Sequence, residues 1–377
     1  MRLLFSFIGG RGHFDPLLPL AEAARAAGHT VRFACSGALQ DAVIGAGFDV
    51  HAYSARPAAP PTPQPLRPVD AARELREFRE RFVQAGARHR YPLARALCEG
   101  WRPDCVIADE ADLGAVLAAE ALGIPCARVQ VMATAAFVPR ALAAGDLAQV
   151  RTAFGLPADE HFQALDAVPL LTAFPATLRD PALPPARSSL SFRAPPPRRP
   201  LPLAGFDPRP GWPTVYLTLG TVFHLEAGDL LARAMAGLHG LPVNAIVTTG
   251  EGIDPAALGP HPAHWRVAAF LPRAEVLPHC DLLLCHAGSG GLLGAITHGL
   301  PLVTLAMGAD QLLNAERCAA LGLGLPLDPL TATPAEIAAA VRGMLADARA
   351  RIVADRLRAE AAAHPPAAEA LAALLAG

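Results

Sequence analysis

Short apolar runs rich in β-branched and aromatic residues alternate with helical stretches twice along this chain, on either side of a proline-rich segment. In the first series Leu3–Ile8 reads as a buried strand, followed by a glycine-rich turn and a helix over Asp15–Ala27 that Gly28 ends. Thr30–Cys35 reads as a second strand, Ser36–Ala46 as a helix and Phe48–Tyr53 as a third strand. Residues 104–108 and 125–132 continue the series, with a helix at 111–122 between them. Strands that are apolar throughout need cover on both faces, which is the pattern of a parallel sheet between helical layers. Residues 181–213 hold eleven prolines and read as a stiff, extended connector. The alternation then restarts, with strands at Thr214–Leu219, Asn244–Thr248, Trp265–Phe270, Leu282–Cys285 and Leu302–Leu305. Helices are expected near 228–238, 289–298, 310–321, 334–346 and 349–362, and a last Ala/Leu helix ends the chain. The expected fold class is α/β, with two Rossmann-like domains at 1–205 and 206–377 facing each other across a cleft. A length of 377 residues suits two domains, and such sheets bind ligands beyond the C-terminal ends of their strands.

Composition removes several classes of function. All 32 basic residues are Arg, so a lysine Schiff base, a P-loop lysine and a kinase-type lysine are excluded. A net charge of −2 gives no global attraction to nucleic acid or anionic lipid. The seven cysteines are odd in number and lack CxxC spacing, which argues for a reducing, cytoplasmic setting over a disulfide framework or a cysteine zinc site. The apolar run Leu3–Ile8 is too short for a signal peptide. Between Asp281 and Asp310 no charged side chain occurs, a length that suits a membrane span. Six Gly, two His and Pro301 interrupt it, however, and it reads as strand–turn–helix–turn–strand. The Arg-rich stretch 69–100 reads as a solvated helix face in preference to an anion site, with Glu77 and Arg81 as an i,i+4 pair.

Two segments carry chemistry. His13 sits at the tip of the first strand–helix turn, where a neutral imidazole can take a proton from a hydroxyl near pH 7 or simply hydrogen-bond its loop. A dinucleotide fingerprint is absent there, because Asp15 stands where GxGxxG needs its third glycine. In the second segment an apolar strand runs into His286-Ala287-Gly288-Ser289-Gly290-Gly291 and a helix. Backbone N–H groups and the helix N-terminus there can cradle a diphosphate, with Ser289 and His286 as added donors; a plain glycine-rich turn is the alternative. Asp310-Gln311 follows the next strand and suits vicinal sugar hydroxyls, although Asp310 could equally cap a helix.

The spacing H-A-G-S-G at 286–290, H-G-x-P at 298–301 and G-A-D-Q-x-x-N-A at 308–315 resembles the donor-binding signature of family 1 glycosyltransferases. With G-H-x-x-P-x-x-x-L-A at 12–21, it resembles antibiotic and macrolide glycosyltransferases of the GT-B fold, from Leu3 to about Leu323. The resemblance implies an inverting hexosyltransferase that uses a nucleoside-diphosphate sugar, without a cofactor. It implies His13 as the base and a carboxylate that orients it, Asp109 in preference to Glu110 or Asp112. It implies donor contacts at Gly220, Thr221, Phe270, Leu271, His286, Gly288, Ser289, Gly290, Asp310 and Gln311. No convincing DxD motif is present, so a metal-independent enzyme is expected. Where related motifs have Thr or Ser, this chain has Gly291, and the Glu that binds ribose hydroxyls in many UDP-sugar users is missing near Gly294. Thymidine lacks the ribose 2′-hydroxyl, so TDP-sugars are favoured over UDP-sugars. Phe78, Phe82, Met132 and Phe137 are expected acceptor walls against the N-terminal domain, suited to a flat hydrophobic natural product unless they only fill the core. The expected protein is a monomer or homodimer with no nucleic-acid partner and no stable membrane association. Two alternatives are a membrane-face transferase with a lipid-linked acceptor, for which 73–95 is the only candidate patch, and a catalytically silent partner of the same fold.

Overall fold

The computed structural model describes the chain apart from residues 56–61, 63, 136–139, 184–187, 198 and 377, and the side chains of 140–142. Seven strands form the first sheet: β1 (Arg2–Ser6), β2 (Thr30–Cys35), β3 (Asp49–Ala52), β4 (Cys105–Asp109), β5 (Cys126–Val129), β6 (Leu170–Thr172) and β7 (Ser189–Ser191). Their order is β3-β2-β1-β4-β5-β6-β7, and every pairing is parallel. Six strands form the second: β8 (Thr214–Thr218), β9 (Asn244–Thr248), β10 (Trp265–Ala268), β11 (Leu282–Cys285), β12 (Leu302–Thr304) and β13 (Gly324–Pro326). They run β10-β9-β8-β11-β12-β13, again all parallel. These are two Rossmann-like sheets of the GT-B type, each covered by helices.

The central strands β4, β9 and β11 are buried at every residue, with apolar interiors as cover on both faces requires and with Asp109, Asn244 and Thr248 buried at strand ends. In both sheets the strand order reverses beside the first strand, between β1 and β4 and between β8 and β11. A crevice opens at such a reversal because the crossovers leave to opposite sides.

Three short strands were not read from the sequence. β7 lies inside the proline-rich connector, so part of that segment pairs with β6 as a sheet edge, a place that tolerates flanking prolines. β6 and β13 have three residues each. The charge-poor segment after Asp281 is β11, the helix Ser289–His298 and β12. Among the described residues no helix is long and apolar enough to cross a membrane. The last helix, Ala367–Ala376, returns to the first sheet, where Ala370 and Leu371 join its core.

Candidate active site

β1 ends against a helical turn, Arg11–Phe14, that carries His13. Phe14 fixes this turn: its ring lies 5.3 Å from Phe7 and 5.4 Å from Phe33, within the aromatic core under the sheet. His13 is thereby held above the strand ends with its side chain about a quarter exposed (24%). Asp109 closes the neighbouring β4 and is fully buried. Its Oδ2 lies 3.3 Å from His13 Nδ1, although the ring N–H is not well aligned on it. The carboxylate is fixed by backbone donors: Ile8 N–H to Oδ2 at 2.7 Å, and Ala111 and Asp112 N–H to Oδ1 at 2.6 and 3.0 Å. The other two carboxylates of this loop turn elsewhere. Glu110 accepts from the N–H groups of Val131 and Met132, and Asp112 pairs with Arg90. Burial works against an imidazolium at His13, but the charge and contact of Asp109 outweigh it, and Asp310 and Glu110 add to the effect. The His13 pKa therefore lies above its ordinary 6.5.

The second sheet builds the facing wall from the loops after β8 and β11. His286 fits between Gly220 and Gly288, where a Cβ on either glycine would collide with the ring. Gly220 also has φ +80°, so both space and backbone call for glycine there. Burial holds the His286 pKa down to about 4, and Arg273 and His224 push the same way, against the Thr218 carbonyl. His286 is thus a neutral ring. Ser289 opens the helix Ser289–His298 and donates to Asp310 Oδ2 at 2.5 Å. Asn314 Nδ2 reaches Asp310 Oδ2 at 2.9 Å, Ser289 Oγ at 3.2 Å and the Ala287 carbonyl at 3.0 Å. Asp310 precedes the helix Gln311–Leu321 but does not cap it with its side chain. Burial raises the Asp310 pKa, while Ser289, Asn314 and the His13 charge across the cleft draw it back. Gln311 turns its amide oxygen into its own loop, accepting from Met307 N–H at 2.8 Å and Gly308 N–H at 3.3 Å. Ala287 and Ala309, one in each cradle loop, sit in the left-handed region at φ 62° and 52°. Such strain concentrates where a loop must present backbone groups to a ligand.

The two walls touch. Ala133 N–H donates to Ser289 Oγ at 2.7 Å, and Ala309 N–H donates to Glu74 Oε2 at 2.8 Å. Arg11 lies over Phe270, 5.6 Å from the ring centre. Phe270 is about half exposed rather than a core residue, Leu271 packs partly into the core of the second sheet, and Thr221 is exposed. On the acceptor side Phe82 stacks parallel to His13 with centroids 6.3 Å apart. Phe78 backs Phe82 from the core, and Met132 is buried as well, so these two fill the interior behind the wall. Phe137 lies outside the described residues.

A family model described as erythromycin biosynthesis protein CIII-like, C-terminal domain, matches residues 224–376. L-demethylnoviosyl transferase of Streptomyces niveus is 32% identical over 97% of this chain and 95% of its own length. This chain belongs to the antibiotic- and macrolide-type GT-B glycosyltransferases. Among solved structures, the glycosyltransferase SnogD from Streptomyces nogalater superposes with a TM-score of 0.78 at 28% identity, covering 100% of this chain and 99% of that one. The spinosyn rhamnosyltransferase SpnG complexed with thymidine diphosphate superposes at 0.80 with 24% identity, covering 100% of both chains.

Several residues of this glycosyltransferase's cleft escaped sequence reading. Asn314 is one of them, although its place one helical turn after Asp310 on the same face was a signal that could have found it. Glu74 and Arg273 gave no such signal, since their partners belong to the opposite sheet. The Arg-rich helix also gains a different meaning. Arg73, Arg79, Arg81, Arg90 and Arg95 each pair with a carboxylate, which removes most of the positive face that a lipid surface would need.

Proposed function

We propose that the protein transfers a sugar from a TDP-sugar to a hydroxyl of a hydrophobic natural product, with inversion at the anomeric carbon. The observation that carries the reading is the imidazole of His13, 3.3 Å from the buried Asp109 and within the electrostatic reach of Asp310 on the opposite wall. With Nδ1 turned to Asp109, Nε2 is the nitrogen that accepts the acceptor's proton. The acceptor oxygen then bonds to the anomeric carbon while the bond from that carbon to the diphosphate oxygen breaks. The electron pair leaves with TDP, and Asp109 balances the imidazolium that forms. The helix end at Gly288–Gly290 stabilises the departing charge, and Asp310 takes sugar hydroxyls. Phe82 offers the aglycone an apolar face beside the base, and the erythromycin-type family match supports an antibiotic-like acceptor.

Two features support TDP. The TDP complex of the spinosyn rhamnosyltransferase shows that nucleotide on the same fold. At Gly294 a Cβ would stand 2.7 Å from Leu277 Cδ1, so a ribose-binding carboxylate there would need Leu277 to move. Thermal-shift measurements should give a larger rise in Tm with TDP than with UDP at equal concentration, because the tighter ligand stabilises more by mass action. A larger rise with UDP would reverse the donor assignment. The departing charge is met by protein groups in this reading, so enzyme dialysed against EDTA should retain full activity; a loss restored by Mg²⁺ or Mn²⁺ would refute metal independence. Seven free cysteines fit a reducing, cytoplasmic setting.

A further inference from the structure

Arg273 begins the short helix after Phe270-Leu271-Pro272 and reaches across the cleft. Its Nη2 is 2.8 Å from Asp15 Oδ2, two residues beyond His13. The same guanidinium rests on the first turn of the helix Ser289–His298: a Cβ on Gly290 would stand 2.7 Å from Nη1 and 3.2 Å from Nη2. A cation at a helix N-terminus is unfavourably placed against the partial positive charge of the unpaired N–H groups. Asp15 offsets this with one negative charge, shared with Arg11, whose Nη2 is 3.6 Å from Asp15 Oδ1. That leaves two guanidiniums and a helix end around a single carboxylate. His286, whose Nδ1 has no aligned partner among the described residues, stands three residues before Ser289 and feels the Arg273 charge.

We propose that Arg273 binds the diphosphate of the nucleotide-sugar donor, and that Asp15 competes with the diphosphate for this guanidinium. The proposal rests on the donor reading above. A diphosphate carries at least two negative charges, and its oxygens match the planar fork of Arg, so it satisfies the helix end and the guanidinium together, which Asp15 alone does not. Arg273 also lies between the helical turn of His13 and the cradle. There it adds positive charge where negative charge develops on the leaving oxygen. Because Asp15 and Arg273 belong to opposite sheets, their pair is a contact between the two walls that donor entry must exchange.

Calorimetric titration of wild type, Arg273→Gln and Asp15→Asn with TDP and with thymidine tests this. Arg273→Gln should weaken TDP binding about 10- to 100-fold, as expected for a lost charge-assisted hydrogen bond, and leave thymidine unaffected. Asp15→Asn should leave TDP binding unchanged or tighten it by about threefold, because the competing carboxylate is gone while Arg273 stays. Equal losses for TDP and thymidine in Arg273→Gln would mark a structural role and overturn the assignment, as would unchanged TDP binding. Weakened TDP binding in Asp15→Asn would equally overturn the competition. If wild type binds no nucleoside diphosphate, the donor reading falls and this proposal with it; if wild type and Arg273→Gln bind TDP alike, only the role of Arg273 falls.

Discussion

Replacing His13 with alanine is expected to lower kcat about 10²–10⁴-fold, the usual contribution of a positioned general base. The fold should survive, because the side chain is partly solvated and Phe14, not His13, anchors the turn. Asp109→Asn should cost activity of the same order, since an amide can hold Nδ1 without balancing the imidazolium, and can donate to it and fix the wrong tautomer. The pH profile separates the two roles. The base works only when neutral, and its pKa is raised, so kcat/KM of wild type should fall with acidification through a value above 6.5. Asp109→Asn removes the charge that raises that pKa, so its residual activity should lose its acid limb at lower pH than wild type. A decrease of less than tenfold in His13→Ala would remove His13 from the chemistry.

The largest effect on stability is expected from Asp112→Ala. Arg90 is buried at 5% exposure and gives Asp112 two contacts, Nη2 to Oδ2 at 2.6 Å and Nε to Oδ1 at 3.3 Å. The same guanidinium donates to the Phe7 carbonyl and lies 3.9 Å from the centre of the Tyr53 ring. Taking away the carboxylate leaves a buried cation without its counter-charge, at a cost of about 3–5 kcal/mol. Asp112 also accepts from Ser6 Oγ and caps the helix Leu113–Leu122, which adds to the loss. Chemical denaturation followed by far-UV circular dichroism measures it, and Asp112→Leu combined with Arg90→Met should recover much of the difference, because no unpaired charge remains. A loss below about 1 kcal/mol in Asp112→Ala would show that water reaches Arg90.

The sequence made the central strands and the turns after β1, β8 and β11 readable, because fully buried strands demand long apolar runs and ligand-facing turns demand glycine. It concealed β6, β7 and β13, whose three residues are too few to display a period. The π-helical stretch Arg79–Gly86, which carries the Phe82 that stacks on His13, was equally hidden, since its side chains continue the pattern of the α-helices on either side. His13, Asp109 and Asp310 were visible as members of local motifs. Asp15, Glu74 and Arg273 were not, because each finds its partner only when two separately folded sheets meet, and no local spacing encodes that meeting.

The polypeptide passes between its halves twice, once along the proline-rich connector and once at His364-Pro365-Pro366, where Arg193 N–H donates to the Pro365 carbonyl at 2.7 Å. A body tethered at one point swivels freely, whereas one tethered at two turns only about the line that joins them. Paired crossings therefore restrict how the two halves of this enzyme can shift against each other to rotation about the line through both tethers.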